Sequence, residues 1–307
     1  MRLFPAAPVP WLDLSTGINP VAWQPRAPLV HDPAPLPPLA TLKALEESAA
    51  GYFAVDPARV AAVPGSEIAL RLLGALDLPR PLVALRPGYG THIDVADETM
   101  AALPGDGARR TLLLANPNNP DGRAIDPAQL RAWGGGDSWL VVDEAFADVE
   151  PEGSVLPGLD EAARVIVLRS FGKFFGLAGV RLGFVIAPPA IVARVRALLG
   201  DWPVSAQAIA MGRAAYADDV WIAAARGALA EAAARLDALL ARHGLPVTGG
   251  TSLFRLVEHP SGRDVFARLA AAGILTRPFA DRADWLRFGL PGDPSAFDRL
   301  DRALAGD

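Results

Sequence analysis

The chain has 307 residues and a mass of 32.2 kDa, the length of one large domain plus a smaller one, enough to bury a sizeable core. A net charge of −5 argues against a general nucleic-acid binder, and the absence of cysteine excludes disulfides, thiolate metal sites and a cysteine nucleophile. No run of about 18 uncharged apolar residues suggests a membrane span, and Met1–Pro10 lacks the apolar core of a signal peptide, so the expected compartment is the cytoplasm.

Ten prolines fall between Pro5 and Pro38, which predicts an extended arm and no helix there. Helical spacing begins at Leu39 and runs to Tyr52. Gly65-Ser66-Glu67 opens a second helix that reaches about Ala75. Short apolar runs then read as strands at Leu82–Leu85, Thr111–Ala115, Trp139–Val142, Val165–Arg169 and Arg181–Ala187. Polar or glycine-bearing loops and helical segments separate them, the pattern of an α/β fold with a mostly parallel sheet. Beyond Pro188 the chain reads as consecutive helices at Ile191–Leu199, Ala206–Tyr216 and Asp219–His243. Strands near Val247 and at Leu253–Val257 follow, then a helix from Arg263, strands at Ile274–Arg277 and Trp285–Phe288, and a closing helix from Pro294. The expected division is an arm over 1–30, a large domain over 31–190 and a small α+β domain over 191–307.

Of 29 basic residues only Lys43 and Lys173 are lysines. Lysine can lose its proton and act as an amine nucleophile, whereas arginine effectively cannot. Lys173 sits in Ser170-Phe171-Gly172-Lys173-Phe174-Phe175-Gly176, directly after a predicted strand, and Arg181 follows. The glycines let backbone approach a ligand. Ser170 and Arg181 both suit a phosphate, the arginine through a bidentate contact. This pattern fits an aldehyde cofactor that carries a phosphate and bonds covalently to the lysine amine. His31, His243 and His259 show no metal spacing, and no Gly-x-Ser-x-Gly elbow is present, so neither a metal site nor a serine hydrolase is expected.

The lysine segment resembles that of fold-type I pyridoxal 5′-phosphate (PLP) enzymes, the aspartate aminotransferase superfamily. Asn116-Pro117-Asn118-Asn119-Pro120-Asp121-Gly122 resembles the Asn-Pro-Asn-Asn-Pro-Thr-Gly loop of that superfamily, with Asp121 in place of threonine. Asp143-Glu144-Ala145-Phe146 resembles its Asp-Glu-Ala-Tyr. Within the superfamily, Trp11-Leu12-Asp13-Leu14-Ser15-Thr16-Gly17-Ile18-Asn19-Pro20 and Pro87-Gly88-Tyr89-Gly90-Thr91-His92 resemble the threonine-phosphate decarboxylases of cobalamin biosynthesis.

The resemblance implies a fold-type I transferase architecture and a set of roles. Lys173 carries the cofactor, and Asp143 meets the pyridine nitrogen. Asn119 contacts the ring oxygen O3′ and the substrate. Gly65, Ser66, Ser170 and Arg181 hold the cofactor phosphate, the first two at a helix start with free N–H groups. His92 aligns with the aromatic residue that stacks on the ring, with Tyr89 as its competitor. Arg287, with Gly17 and Ile18 of the arm, binds the substrate, the arginine gripping its α-carboxylate.

The implied reaction is decarboxylation of O-phospho-L-threonine, an amino-acid phosphate, by a homodimer with no nucleic-acid or membrane partner. Phe146 stands where many relatives have a tyrosine, which disfavours the alternative, an aminotransferase of the histidinol-phosphate type. Leu36 lies near the place of a tyrosine that commonly reaches the cofactor phosphate across the dimer. A His-Gly-Gly stretch that precedes the arm in many of the decarboxylases is not in this chain. The lack of that stretch keeps open a third expectation, a PLP-binding regulator without catalysis, against which intact Lys173, Asp143 and Arg287 argue.

Overall fold

The computed structural model describes residues 4–29, 31–105, 108–133 and 137–306. They form two compact units, one of Trp23–Asn119 and Ala124–Ile222, the other of the arm to Ala22, Pro120–Arg123 and Ala223–Asp307. The division differs from the expected one at residue 190. Val192 and Val195 of the helix Pro189–Leu199 belong to the core of the large sheet, and the helix Ala206–Tyr216 packs on Leu39–Phe53. The change of character at Pro188 marks a helix start and not a domain boundary.

The larger unit is built on a seven-stranded sheet in the order Val60–Val63, Gly183–Ile186, Val165–Ser170, Trp139–Asp143, Thr111–Ala115, Leu82–Leu85, Glu98–Met100. Only Gly183–Ile186 runs against its neighbours. Most of these strands are unbroken buried runs such as Leu82-Val83-Ala84-Leu85, as expected where helices cover both faces of a parallel sheet. Val60–Val63, at one edge, is a strand that the apolar pattern does not flag. Its Val-Ala-Ala-Val is too short for a period, and its pairing partner lies more than 100 residues on.

The smaller unit has an antiparallel sheet of four strands in the order Arg277–Pro278, Trp285–Gly289, Phe254–Glu258, Val247–Thr251. The arm joins this unit. Leu12–Asp13 pairs in parallel with Ile274–Leu275, and Leu14 accepts a hydrogen bond from the Gly289 amide at 2.7 Å. Elsewhere the arm bends and turns, as where the Ala7 amide donates to the Phe4 carbonyl at 3.2 Å, and its prolines keep it from forming a helix.

Candidate active site

At one edge of the large sheet the carboxyl ends of three parallel strands fall into register, with Ala115 opposite Asp143 and Asp143 opposite Leu168, two residues short of Ser170. Loops and ligands gather at that edge in open parallel sheets. Ala115, Asp143 and Ser170 line one cavity of about 240 Å³ there, together with Lys173, Asn119, Gly65, Ser66 and Arg181. Four stretches far apart in sequence, 65–66, 115–119, 143 and 170–181, therefore converge on a space with room for one small ring and its substituents.

Lys173 lies in a four-residue helix, Phe171–Phe174. Its aromatic neighbours are fixed in the core. Phe175 stacks between Phe171, with centroids 4.7 Å apart, and Trp221, at 5.5 Å, and the Phe175 carbonyl accepts from the Trp23 amide at 2.9 Å. With these rings turned inward, the lysine is the side chain left to face the cavity. Its Nζ lies 5.9 Å from the centre of the Phe146 ring, also on the cavity wall.

Asp143 is buried. Its Oδ1 accepts from the Ala145 amide at 3.1 Å, and its Oδ2 lies 3.0 Å from Nε2 of His92. The resemblance gives the ring face to His92, with Tyr89 as its competitor. His92 is fully buried behind Asp143 and is not part of the cavity wall, whereas Tyr89, at the N-cap of the short helix Gly90–Val95, is. The spacing of three puts Tyr89 and His92 close together, with rings edge to face at 5.6 Å. The buried polar one is drawn to the carboxylate and the larger one to the opening.

The cup of Gly65, Ser66, Ser170 and Arg181 explains two glycines. Gly65 has φ +89°, and a Cβ there would lie 2.7 Å from Nη2 of Arg181. A Cβ on Gly183 would lie 2.7 Å from the Ser66 nitrogen. Side chains at either position would fill the space in which the guanidinium and the backbone amides meet an anion. Arg181 itself sits at φ +57°, a left-handed conformation that costs a non-glycine residue and is kept where the surroundings require it. Two serine hydroxyls, an arginine and close backbone suit a phosphate dianion, and a lysine amine and a carboxylate suit the two ends of a pyridine aldehyde. The donor set fits the cofactor that the sequence implies.

Arg287, Gly17 and Ile18 belong to the smaller unit. Arg287 is buried on the strand Trp285–Gly289, over the face of Phe254 at 4.9 Å, and its Nη2 donates to the Ser15 carbonyl at 3.1 Å. Gly17, also buried, and Ile18, half-buried, follow directly in the arm. Arg277, which sequence reading passed over, stands opposite Arg287 in the strand pairing and donates to the same carbonyl from Nε at 3.4 Å. Its signal was faint, because its strand is two residues long. Glu67 also escaped notice. It lines the cavity one residue past the phosphate cup and bonds to Tyr89 and Thr91. Among the described residues no group of three or more histidines or acids could hold a metal ion, and no helix is long and apolar enough to cross a membrane.

The chain belongs to the class I and II aminotransferase family, whose model matches residues 82–304. Its relatives include the threonine-phosphate decarboxylase of Sinorhizobium sp., 41% identical over 97% of this chain and 92% of that protein. The threonine-phosphate decarboxylase of Pseudomonas aeruginosa is 37% identical over 96% and 92%. Histidinol-phosphate aminotransferases match at lower identity and over less of the chain. Among solved structures, the L-threonine-O-3-phosphate decarboxylase of Porphyromonas gingivalis shares the fold, with a TM-score of 0.76 and 17% identity over 96% of this chain and 98% of that one.

Proposed function

We propose that this chain is a PLP-dependent decarboxylase that converts O-phospho-L-threonine to aminopropanol phosphate and carbon dioxide in cobalamin biosynthesis. One observation carries the reading. Lys173, Asp143, Asn119 and the Ser66, Ser170 and Arg181 cup line a single cavity, in a chain 41% identical over nearly its whole length to a threonine-phosphate decarboxylase. The cofactor, when bound, supplies an electron sink for the bond that breaks.

The protein's residues do the rest. Lys173 would hold the cofactor through its amine. When free, its Nζ would deliver the proton that replaces the lost carboxyl group on the substrate's α-carbon. Asp143, steadied by His92, keeps the ring nitrogen protonated. Asn119 donates to the ring oxygen. Tyr89 covers the ring face in the role expected of His92. Arg287 grips the α-carboxylate, and the exposed Arg277 beside it supplies charge for the substrate phosphate, both anchored to the arm through Ser15. Gly17 and Ile18 of the arm would take part in substrate binding. Arg287 would set the direction in which the carboxylate is held, and that direction would decide between loss of carbon dioxide and loss of the α-hydrogen.

The reading includes a homodimer working in the cytoplasm. Leu36, Leu39 and Trp202 of the larger unit are half-exposed or more and offer apolar surface to a second copy.

The histidinol-phosphate aminotransferase alternative is disfavoured by Phe146, which brings no hydroxyl to the cavity, and by the lower identity of those relatives. Incubation with phosphothreonine separates the two. The decarboxylase releases carbon dioxide with no keto-acid acceptor. Pyridoxamine phosphate accumulating with histidinol phosphate, and no carbon dioxide from phosphothreonine, sinks the proposal.

A further inference from the structure

A carboxylate is an unexpected neighbour for a phosphate cup. Glu67 follows Ser66 directly, lines the same cavity and adds negative charge where a phosphate dianion is to be held. Charge alone makes it a liability, so its place calls for another benefit. Its hydrogen bonds supply one. Oε2 accepts from the Tyr89 hydroxyl at 3.2 Å, and both oxygens accept from the Thr91 hydroxyl, at 2.9 and 3.1 Å. Arg71, one turn on, donates to Oε1 at 3.1 Å and neutralises the charge on the side away from Tyr89.

Tyr89 needs such an anchor. It is 37% exposed, and the helix that it precedes has no side-chain cap to fix its start. One edge of its ring meets His92, and its hydroxyl gives a second handle on its orientation. Burial raises the phenol above its ordinary range, so it remains a donor to the carboxylate.

We infer that Glu67 is a positioning residue that clamps Tyr89, through its hydroxyl and through Thr91, in the orientation that covers the cofactor ring. The contacts run from Glu67 beside the phosphate cup, through Tyr89 and His92, to Asp143. The two ends of the cofactor are thereby set by one chain of side chains. The inference rests on the assignment of Tyr89 to the ring face.

The clamp and simple electrostatics predict opposite signs. If Glu67 only repels the phosphate, Glu67→Ala and Glu67→Gln both tighten cofactor binding. If it clamps Tyr89, Glu67→Ala weakens cofactor binding roughly tenfold, the scale of one hydrogen bond to a charged acceptor, and reduces the visible circular dichroism of the bound cofactor. Glu67→Gln then recovers most of both, because the amide still bonds the phenol. Tyr89→Phe reproduces the dichroism change, and the double variant Glu67→Ala/Tyr89→Phe adds nothing to it. Tighter binding in either Glu67 variant, or additive effects in the double variant, overturns the clamp. Tyr89→Leu tests the underlying assignment. If it leaves the dichroism unchanged, Tyr89 does not cover the ring. If it collapses the signal while Glu67→Ala does not, the assignment stands and the clamp fails. Should Glu67→Ala not fold, Tyr89→Phe and Glu67→Gln decide the question.

Discussion

Asp143 and Glu144 are adjacent carboxylates at the end of one strand, and they serve opposite regions. Asp143 turns to the cavity, with His92 behind it. Glu144 turns into the protein, fully buried, where the Val155 amide and the Ser154 hydroxyl each donate to it at 2.7 Å. Nε of Arg169 lies 3.0 Å from Glu144, a charge contact, and its Nη1 donates to Asp148 at 2.7 Å. The Arg169 side chain also lies over the Phe53 ring. On the buried side, opposite charges are paired with one another. On the cavity side, polar groups converge on a space. The difference separates architecture from chemistry within two residues. Arg169 precedes Ser170 and Glu144 follows Asp143, so the buried cluster holds the ends of the two strands that present the site.

The contrast is sharpest at Lys173. Lys173→Ala should lower decarboxylation by about 10⁴-fold or more, while a denaturant melt moves by about 0.5 kcal/mol or less, as for a residue outside the packed core. Equal losses of activity and stability would erase the distinction. The mirror experiment is Arg169→Met, which leaves two carboxylates buried without their cation. It should cost about 3–5 kcal/mol of stability in the same melt, with a smaller effect on turnover per folded molecule. A variant as stable as the parent would show that the cluster does not hold the strand ends.

A smaller effect is expected on the cavity wall at Phe146. A hydroxyl there would donate to the cofactor's ring oxygen and favour its deprotonated form. Phe146→Tyr should therefore lower the pH midpoint of the bound cofactor's absorbance change by about one to two units, the equivalent of one charged hydrogen bond. An unchanged midpoint with normal cofactor binding would mean that residue 146 does not face that oxygen, or that Asn119 already satisfies it.

The slightest effect is a slope. Burial, the largest influence on Glu144, raises its carboxyl above the ordinary 4.5, against the pull of Arg169. The folded protein then holds that proton more tightly than the unfolded chain does. Its contribution to stability is full below pH 4.5 and is lost as the pH rises through the folded value. Glu144→Gln should flatten the fall in melting temperature over that window, and a parallel profile in the variant would contradict the assignment.

The cavity side was largely legible in the sequence, because its residues sit in local signatures: a lysine among glycines after a strand, an aspartate closing a strand, an asparagine between prolines. What stayed hidden depends on contacts between distant segments. Tyr89 and His92 share a spacing, and only the position of Asp143, 51 residues after His92, decides which of them turns inward. Glu67 reads locally as an ordinary first-turn acid, and its tie to Tyr89 spans 22 residues. The buried cluster left no mark either, since Arg169 looks like the polar end of a strand until Asp148 is brought beside it. The division into units is hidden in the same way. Val192 and Val195 lie on an ordinary amphipathic helix, and only the folded sheet shows which core they complete.

The claim that the chemistry runs through the cavity at Lys173 has a direct test, because the chain has only one other lysine. Lys43 is exposed on a helix, 3.7 Å from Glu47. Borohydride reduction of the PLP-loaded protein, followed by peptide mapping, should place the reduced cofactor on Lys173 and leave Lys43 unmodified. A tag on Lys43, or no tag in a protein that shows the bound-cofactor absorbance, would contradict the account.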